Sequence, residues 1–341
     1  MILDYSLQQI EEYAVKKGFP AFRGKQIFDA VMNAKQLNQT NLPKQVLQQI
    51  EEDYPNFEIV KKLTSKDGTI KYALRMKDGQ VVESVLMSHD YGKTLCVSSQ
   101  VGCAMGCKFC ASSLNGLIRN LSAGEILQQV VIVNKDLGGS VKKRAITNIV
   151  LMGMGEPLDN YQNVTSFLRL VCAKDGFNFS ERNITLSTCG IVPKIYALAD
   201  DGFNVTLTIS LHATSDQKRK QTMPIANAYS IKQIIEACKY YFNKTGRRIS
   251  FEYALIDGEN DSMQDAEKLA GLVKGLNCHV NVIPLNDVKE RGLKGTEIKK
   301  AYAFAQKLCS LGITATKRRS MGEDIAGACG QLRQSVIKEE E

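Results

Sequence analysis

The amino-acid sequence predicts an α/β protein, a partial (βα)6 barrel behind a small N-terminal α+β accessory region and ahead of a short C-terminal tail. Three observations predict it. From Thr94 onward, short apolar strands alternate with helices of about 10 to 15 residues, the pattern of βα units around a parallel sheet. Before that point the apolar spacing is three to four up to about residue 55, then shifts toward two. The 341 residues leave room for one large α/β unit and a smaller companion.

The elements follow in order. Ile2 to Val15, the stretch around Lys25 to Met32, and Leu42 to Ile50 read as helices, punctuated by Gly18, Pro20 and Pro43. Phe57 to Leu63, Thr69 to Met76 and Val81 to Met87 read as strands, separated by Asp67-Gly68 and Asp78-Gly79 hairpin turns. These make residues 1–90 the accessory region. The barrel strands are Leu95 to Ser98, Asn148 to Met152, Ile184 to Ser187, Val205 to Leu211, Ser250 to Leu255, Val280 to Pro284 and Thr314 to Lys317. Ser122 with Glu125, and Ser230 with Gln233, are capping boxes that open helices. Asn160 to Val171 and Asp265 to Leu276 supply two more helices. The barrel is expected over 91–315 and the tail over 316–341.

Composition narrows the function classes. Acidic and basic residues interrupt Met1 to Phe19, so no signal peptide is read there, and no run approaches the roughly 20 apolar residues of a membrane span. The expectation is a soluble, cytoplasmic protein with no membrane partner. In a reducing compartment the ten cysteines do not read as a disulfide framework, and a cluster of them points to metal or catalysis. A formal charge of +8, from 44 basic and 36 acidic residues, suits a polyanionic partner without proving one.

Cys103, Cys107 and Cys110 lie on one short loop, in the spacing Cys-x3-Cys-x2-Cys, with Gly102 and Gly106 freeing the backbone to fold around a cubane. Three thiolates on four irons leave one iron open. An open iron can take the amino and carboxylate groups of S-adenosylmethionine, and one electron then breaks its sulfonium bond to give a 5'-deoxyadenosyl radical. This spacing resembles the radical S-adenosylmethionine superfamily. A zinc site built from these three and Cys96 is the rival reading, although zinc sites usually pair two separated Cys-x2-Cys knuckles.

Barrel chemistry sits at the C-terminal ends of the strands, and polar and Gly-rich residues cluster there in this sequence. Gly153 to Pro157 alone reads as a strand-ending turn. Ser187, Ser210 and His212 singly read as satisfied core polar groups. In a radical S-adenosylmethionine barrel the same Gly-Glu-Pro turn resembles the one that meets the aminoacyl end of the cosubstrate.

Several stretches together resemble one family: Thr94 to Gly102, Arg119-Asn120-Leu121, Met152 to Leu158, Ile184 to Gly190, Ser210 to Ala213, Val280 to Asn286 and Gly322 to Leu332. They are similar to the RlmN group of RNA adenine-C2 methyltransferases, from about Arg23 nearly to the C-terminus. The resemblance implies a [4Fe-4S] cluster on Cys103, Cys107 and Cys110 and two S-adenosylmethionine molecules per turnover. It implies methylation of C2 of adenosine 2503, in the peptidyl-transferase centre of 23S ribosomal RNA before full ribosome assembly, and of adenosine 37 in transfer RNAs. Cys329 would carry the methyl group, and Cys96 would close the cycle through a transient disulfide. Glu83 matches the proton acceptor for C2. Gly155, Glu156, Ser187, Ser210, Leu211, His212 and Asn286 would contact S-adenosylmethionine. The implied protein is a monomer fed by an electron donor such as flavodoxin.

Without the resemblance, Cys329 reads as a small tail residue and Cys96 as a buried strand cysteine. Cys172, Cys189, Cys238, Cys278 and Cys309 read as packing residues. Lys142-Lys143-Arg144 and Lys218-Arg219-Lys220 read as solvated faces, while Lys317-Arg318-Arg319 is expected to touch RNA. Ser113 stands where many members have Thr, and Cys189 where Ser is common. Alternatives are the sister Cfr-type group, which methylates C8 of the same adenosine, a zinc-stabilised RNA-binding protein, and a radical enzyme acting on a small metabolite or peptide.

Overall fold

The computed structural model describes residues 1–286 and 288–332. The last nine positions of the expected tail lie outside the described residues. Among the described residues no helix is long and apolar enough to cross a membrane.

The N-terminal helices are α1 (Leu7–Lys16), α2 (Phe22–Met32) and α3 (Lys44–Ile50). The expected helix from Ile2 is shorter than the periodicity implied. Ser6 caps α1 reciprocally with Gln9, which leaves Ile2–Asp4 as a separate 3-10 turn. Asp4 then accepts a hydrogen bond from the backbone N–H of Gly124 at 2.6 Å. An antiparallel meander follows, made of β1 (Glu58–Thr64), β2 (Ile70–Arg75) and β3 (Val81–His89). Gly68 and Gly79 hold φ of +85° and +84° at its two turns, a conformation open to glycine at little cost.

The barrel begins with β4 (Gly92–Cys96), followed by a small hairpin of β5 (Gln100–Gly102) and β6 (Leu117–Asn120). Next come α4 (Ala123–Asp136), β7 (Asn148–Leu151), α5 (Tyr161–Cys172), β8 (Ile184–Thr188), α6 (Val192–Asp200) and β9 (Thr206–Ser210). The chain continues through α7 (Asp216–Thr222), α8 (Ile231–Thr245), β10 (Ile249–Leu255), α9 (Met263–Val273), β11 (Cys278–Pro284), α10 (Ile298–Ser310) and β12 (Ala315–Lys317). Both expected capping boxes form, at the starts of α4 and α8.

One ten-stranded sheet runs in the order β1-β2-β3-β4-β7-β8-β9-β10-β11-β12. The seven strands from β4 to β12 are parallel, as βα units require, and their order has two ends, which makes the barrel partial. β3 pairs antiparallel with β4, so the meander extends this sheet. On β3, Ser84 points at α4, where its hydroxyl donates to Gln129 Oε1 at 2.8 Å. Glu83, Val85 and Met87, at odd positions, share the opposite face. Gln129 also bonds the backbone of Ser98 in both directions, and the Ser98 hydroxyl donates to the Glu83 carbonyl. That buried network fixes the end of β4 against β3 and α4, where the cysteine loop departs.

Candidate active site

The loop that carries Cys103, Cys107 and Cys110 is strung between β5 and β6. Gly102 permits its tight base: at φ +77°, a Cβ there would lie 2.0 Å from the Gly116 carbonyl oxygen. The Cys103 N–H donates to that same oxygen. Ser113 ties the far side, its hydroxyl donating to the carbonyls of Cys107 and Cys110 at 3.0 and 3.1 Å, while Arg291 donates to the Ser113 oxygen at 2.8 Å. Lys108 N–H donates to Thr222 at the end of α7. These bonds engage backbone groups and leave the three thiols to line a cavity of about 140 Å³.

Burial pushes the Cys103 thiol up to about 12 and raises Cys107 as well, the neighbouring thiols adding to the effect. Sulfurs in that setting gain from a metal cation that displaces their protons, which leave to solvent. Among the described residues no three His, Cys, Asp or Glu side chains are placed to hold one metal ion. The three cysteines line one cavity instead, and three thiols on one loop suit corner ligands of a polynuclear cluster.

Across the cavity stand Gly155, Glu156, Ser187, Ser210, His212 and Asn286, contributed by the C-terminal ends of β7, β8, β9 and β11 and the loops after them. Gly155, at φ +103°, brings its backbone so close to Gln100 that a Cβ would sit 2.6 Å from the Gln100 Cβ. The Glu156 carboxylate is 4% exposed and accepts from the N–H groups of Leu158 and Cys189 at 3.0 and 2.7 Å. Burial raises its pKa, opposed by those bonds. Glu156 therefore braces the loop after β7 against that after β8 as well as facing the cavity.

His212 has φ of +56°, and its Nδ1 accepts from the Ala254 N–H at 3.0 Å, which leaves the ring proton on Nε2. Burial, with Arg219 nearby, depresses its pKa to about 3. Phe109 meets the ring edge-on at 4.9 Å, joining the cysteine loop to the opposite wall of the cavity. Leu211 is placed differently from the other expected contacts. Its side chain is fully buried and does not line the cavity, while its carbonyl accepts from Arg219 Nε.

Cys96 and Cys329 meet in a second cavity of about 620 Å³, which Cys329, Met152, Ile283, Asn286 and Leu332 share with the first. Cys96 ends β4, and Cys329 arrives on the tail. The surface that Cys329 exposes faces these cavities, and surrounding atoms push its thiol, like that of Cys96, up to about 12. Both are free thiols. The tail is held at each end. Asn286 donates to the Cys329 carbonyl at 3.0 Å, Ala111 N–H to Gly330, and Ser112 to Leu332. On the other side Asp324 accepts from Ser65 and from the Lys66 N–H, Asp67 from the Gly322 N–H, and Lys71 donates to the Ala326 carbonyl. Glu83 does not line either cavity. It lies 1% exposed beside Lys71 at 3.1 Å, on the face of β3 from which Val85 and Met87 reach the larger cavity.

Three groups had a different reading from sequence. Arg219 is no solvated cation: it is fully buried and donates to the carbonyls of Leu211, Cys189 and Ser210, with Nη1 lacking a partner. Strand ends leave carbonyls unpaired, and α7 starts close enough to β9 for its first turn to supply the donor. Arg318 turns inward, its guanidinium on Glu252 and against the Met152 sulfur, and its charge acts on both Cys96 and Cys329. Cys189 packs with Cys107 at the cavity wall, so its setting is the site rather than the general core. For Cys189 and Arg318 the usable signal was position just after a strand; Arg219, within α7, gave none.

Comparison with known proteins bears on the same residues. A family model described as the radical SAM superfamily matches residues 97–270. A probable dual-specificity RNA methyltransferase RlmN of Clostridium botulinum (strain Langeland) is 50% identical over 344 residues, 98% of each chain. Its counterpart of Clostridium perfringens (strain 13) is 51% identical over 345 residues, covering 99% of this chain and 97% of its own. The crystal structure of a radical SAM methyltransferase from Sphaerobacter thermophilus superposes with a TM-score of 0.91 at 42% identity, over 98% of this chain and 99% of that one.

Proposed function

We propose that this chain, which belongs to the RlmN family of radical S-adenosylmethionine RNA methyltransferases, methylates C2 of one adenosine in the peptidyl-transferase centre of 23S ribosomal RNA and of adenosine 37 in transfer RNAs. The carrying observation is that Cys329 lines both cavities, the one ringed by the three loop cysteines and the one it shares with Cys96. The dual specificity named for the relatives supports two RNA substrates for this chain.

Adenine C2 is an electron-poor aromatic carbon with no lone pair to attack a sulfonium methyl, so polar transfer fails there. When bound, a [4Fe-4S] cluster with S-adenosylmethionine supplies the single electron and the carbon radical that this chemistry needs. Cys103, Cys107 and Cys110 hold the cluster. The Gly155 backbone, Glu156, Ser187, Ser210, His212 and Asn286 would orient the cosubstrate, and His212, kept neutral by burial, would add no positive charge to its cavity.

Cys329 takes a methyl group from one S-adenosylmethionine and loses a hydrogen from that methyl in a second encounter, so the carbon reaches C2 on a protein sulfur. Arg318 lowers the cost of the thiolate needed for the first step. Once the carbon is joined to C2 and the C2 proton has left, the Cys96 thiolate would attack the Cys329 sulfur and displace the carbon, which takes up a proton to become the methyl group. The one surplus electron would return to the one-electron carrier, and the Cys96–Cys329 disulfide would be reduced by an external dithiol. We keep Glu83 as the acceptor of the C2 proton: it stands outside both cavities, paired with Lys71, but on the face of β3 from which Val85 and Met87 reach the larger one. We place the reaction in the cytoplasm, on RNA not yet fully assembled into ribosomes, with reducing equivalents from a flavodoxin-type donor.

The test is reconstitution with both RNAs and mass mapping of the modified nucleoside. Methyl on C2, and S-methylcysteine at Cys329 in a partial reaction, is the expected result. Methyl on C8 replaces this reading with the Cfr-type one, and unchanged product from Cys329→Ala removes the carrier mechanism.

A further inference from the structure

The turn between β3 and β4 carries an aromatic pair that the proposed chemistry leaves unused. The rings of His89 and Tyr91 stack at 4.7 Å and 9°, with Tyr91 73% exposed. His89 covers one face of the phenol ring. Both residues line the rim of the larger cavity, whose wall carries Cys96 and Cys329.

The pair is fixed in place rather than dangling. Gly92, at φ +132°, packs so tightly that a Cβ would lie 2.3 Å from the Thr147 hydroxyl. Thr147 donates both its N–H and its hydroxyl to the Lys93 carbonyl, each at 2.9 Å. The rim is also cationic: Arg182 and Arg319 line it, and Arg319 acts on His89 together with Arg318, whose own charge Glu252 offsets, against the opposing charge of Asp90. A rigid ring with one open face, beside guanidinium groups, matches a nucleobase joined to a phosphate.

We propose that Tyr91, backed by His89, is a stacking platform for the base adjacent to the target adenosine, with Arg319 meeting the phosphate between them. The proposal rests on the RNA methyltransferase reading of the same lumen. An enzyme that reacts at a base must take it out of its stack, which strips the neighbouring base of a partner. Tyr91 sits at the rim while Cys329 sits in the wall, so the platform serves that neighbour and the target passes further in. Stacking is tolerant of sequence, which suits a site that accepts two RNAs.

The probe is a 23S ribosomal RNA fragment containing the target loop, with 2-aminopurine next to the target adenosine. Wild-type enzyme carrying its cluster should quench the probe on binding. Tyr91→Ala should abolish the quench and weaken affinity by roughly five- to a hundred-fold, the range for one lost stacked base, while Tyr91→Phe restores both. The salt dependence separates the roles: Tyr91→Ala keeps the wild-type slope because stacking releases no counterions, and Arg319→Ala lowers it by about one. Iron content and circular dichroism establish that each variant is folded. Wild-type enzyme that methylates this RNA while Tyr91→Ala binds and quenches as tightly overturns the platform alone. Wild-type enzyme that methylates neither RNA overturns the underlying reading.

Discussion

The cysteine loop and the tail that carries Cys329 line one continuous pair of cavities, yet they are built by opposite means. The three loop cysteines fall within eight consecutive positions, and the hairpin of β5 and β6 shapes their loop through bonds to its own backbone. Cys329 and Cys96 lie far apart in the chain. They meet only because the tail is pinned to the cluster loop at one end and to the β1–β2 turn at the other. A local loop tolerates loss of distant contacts, whereas a pinned tail depends on both anchors.

The contrast is sharpest at Gly102. Gly102→Ala keeps every cysteine but places a methyl group against the Gly116 carbonyl in left-handed backbone, so iron content after reconstitution should fall to near zero, as for Cys103→Ala. Cys329→Ala should keep its full complement of iron and yield no methylated RNA. Iron assay beside product analysis checks the pair, and retention of iron by Gly102→Ala breaks the view that the loop is set by its own backbone.

His212 separates the halves by pH. Its folded pKa is depressed to about 3, below the ordinary value near 6.5, so the unfolded chain takes up the proton first as pH falls. The stability contributed is complete above about pH 6.5 and lost progressively toward pH 3, on the order of 4 kcal/mol for a fully buried ring. Stability of wild type relative to His212→Gln, from urea unfolding, should decline across that window. A difference constant with pH removes the neutral-imidazole assignment.

Arg318→Gln should act on the carrier half alone. Removing a positive charge beside Cys329 raises its thiol further above about 12, so methyl loading at pH 8 slows several-fold and its rise with pH moves to more alkaline values. Mass measurement of S-methylcysteine over time reports this, with iron content unchanged.

The smallest effect is expected at the outer anchor. Asp324→Ala deletes the bonds to Ser65 and Lys66 at an exposed site, so the fold persists while residues 316–332 are cut faster by limiting protease. Equal cutting rates would show that the inner anchor alone suffices.

Much of this was legible in sequence because it is local. Strand alternation placed all seven parallel strands to within a few residues, since side-chain period follows secondary structure. The cysteine spacing marked the loop that lines the smaller cavity for the same reason, and the family motifs pointed to Cys96 and Cys329, which line the larger one. Arg219 was misread as part of a solvated face because a charged residue signals solvent unless something distant compensates it, and for the same reason the ion pair of Arg318 was not legible. The compensation came from carbonyls at the ends of β8 and β9 and from Glu252 on β10. By itself, then, the sequence determined the barrel, its loop and the kinds of atoms at the site. Only the tertiary structure decided that Leu211 turns away from the lumen, that Glu83 pairs with Lys71, and that Tyr91 stands at the rim. Those outcomes depend on contacts between segments distant in the chain, which no local pattern encodes.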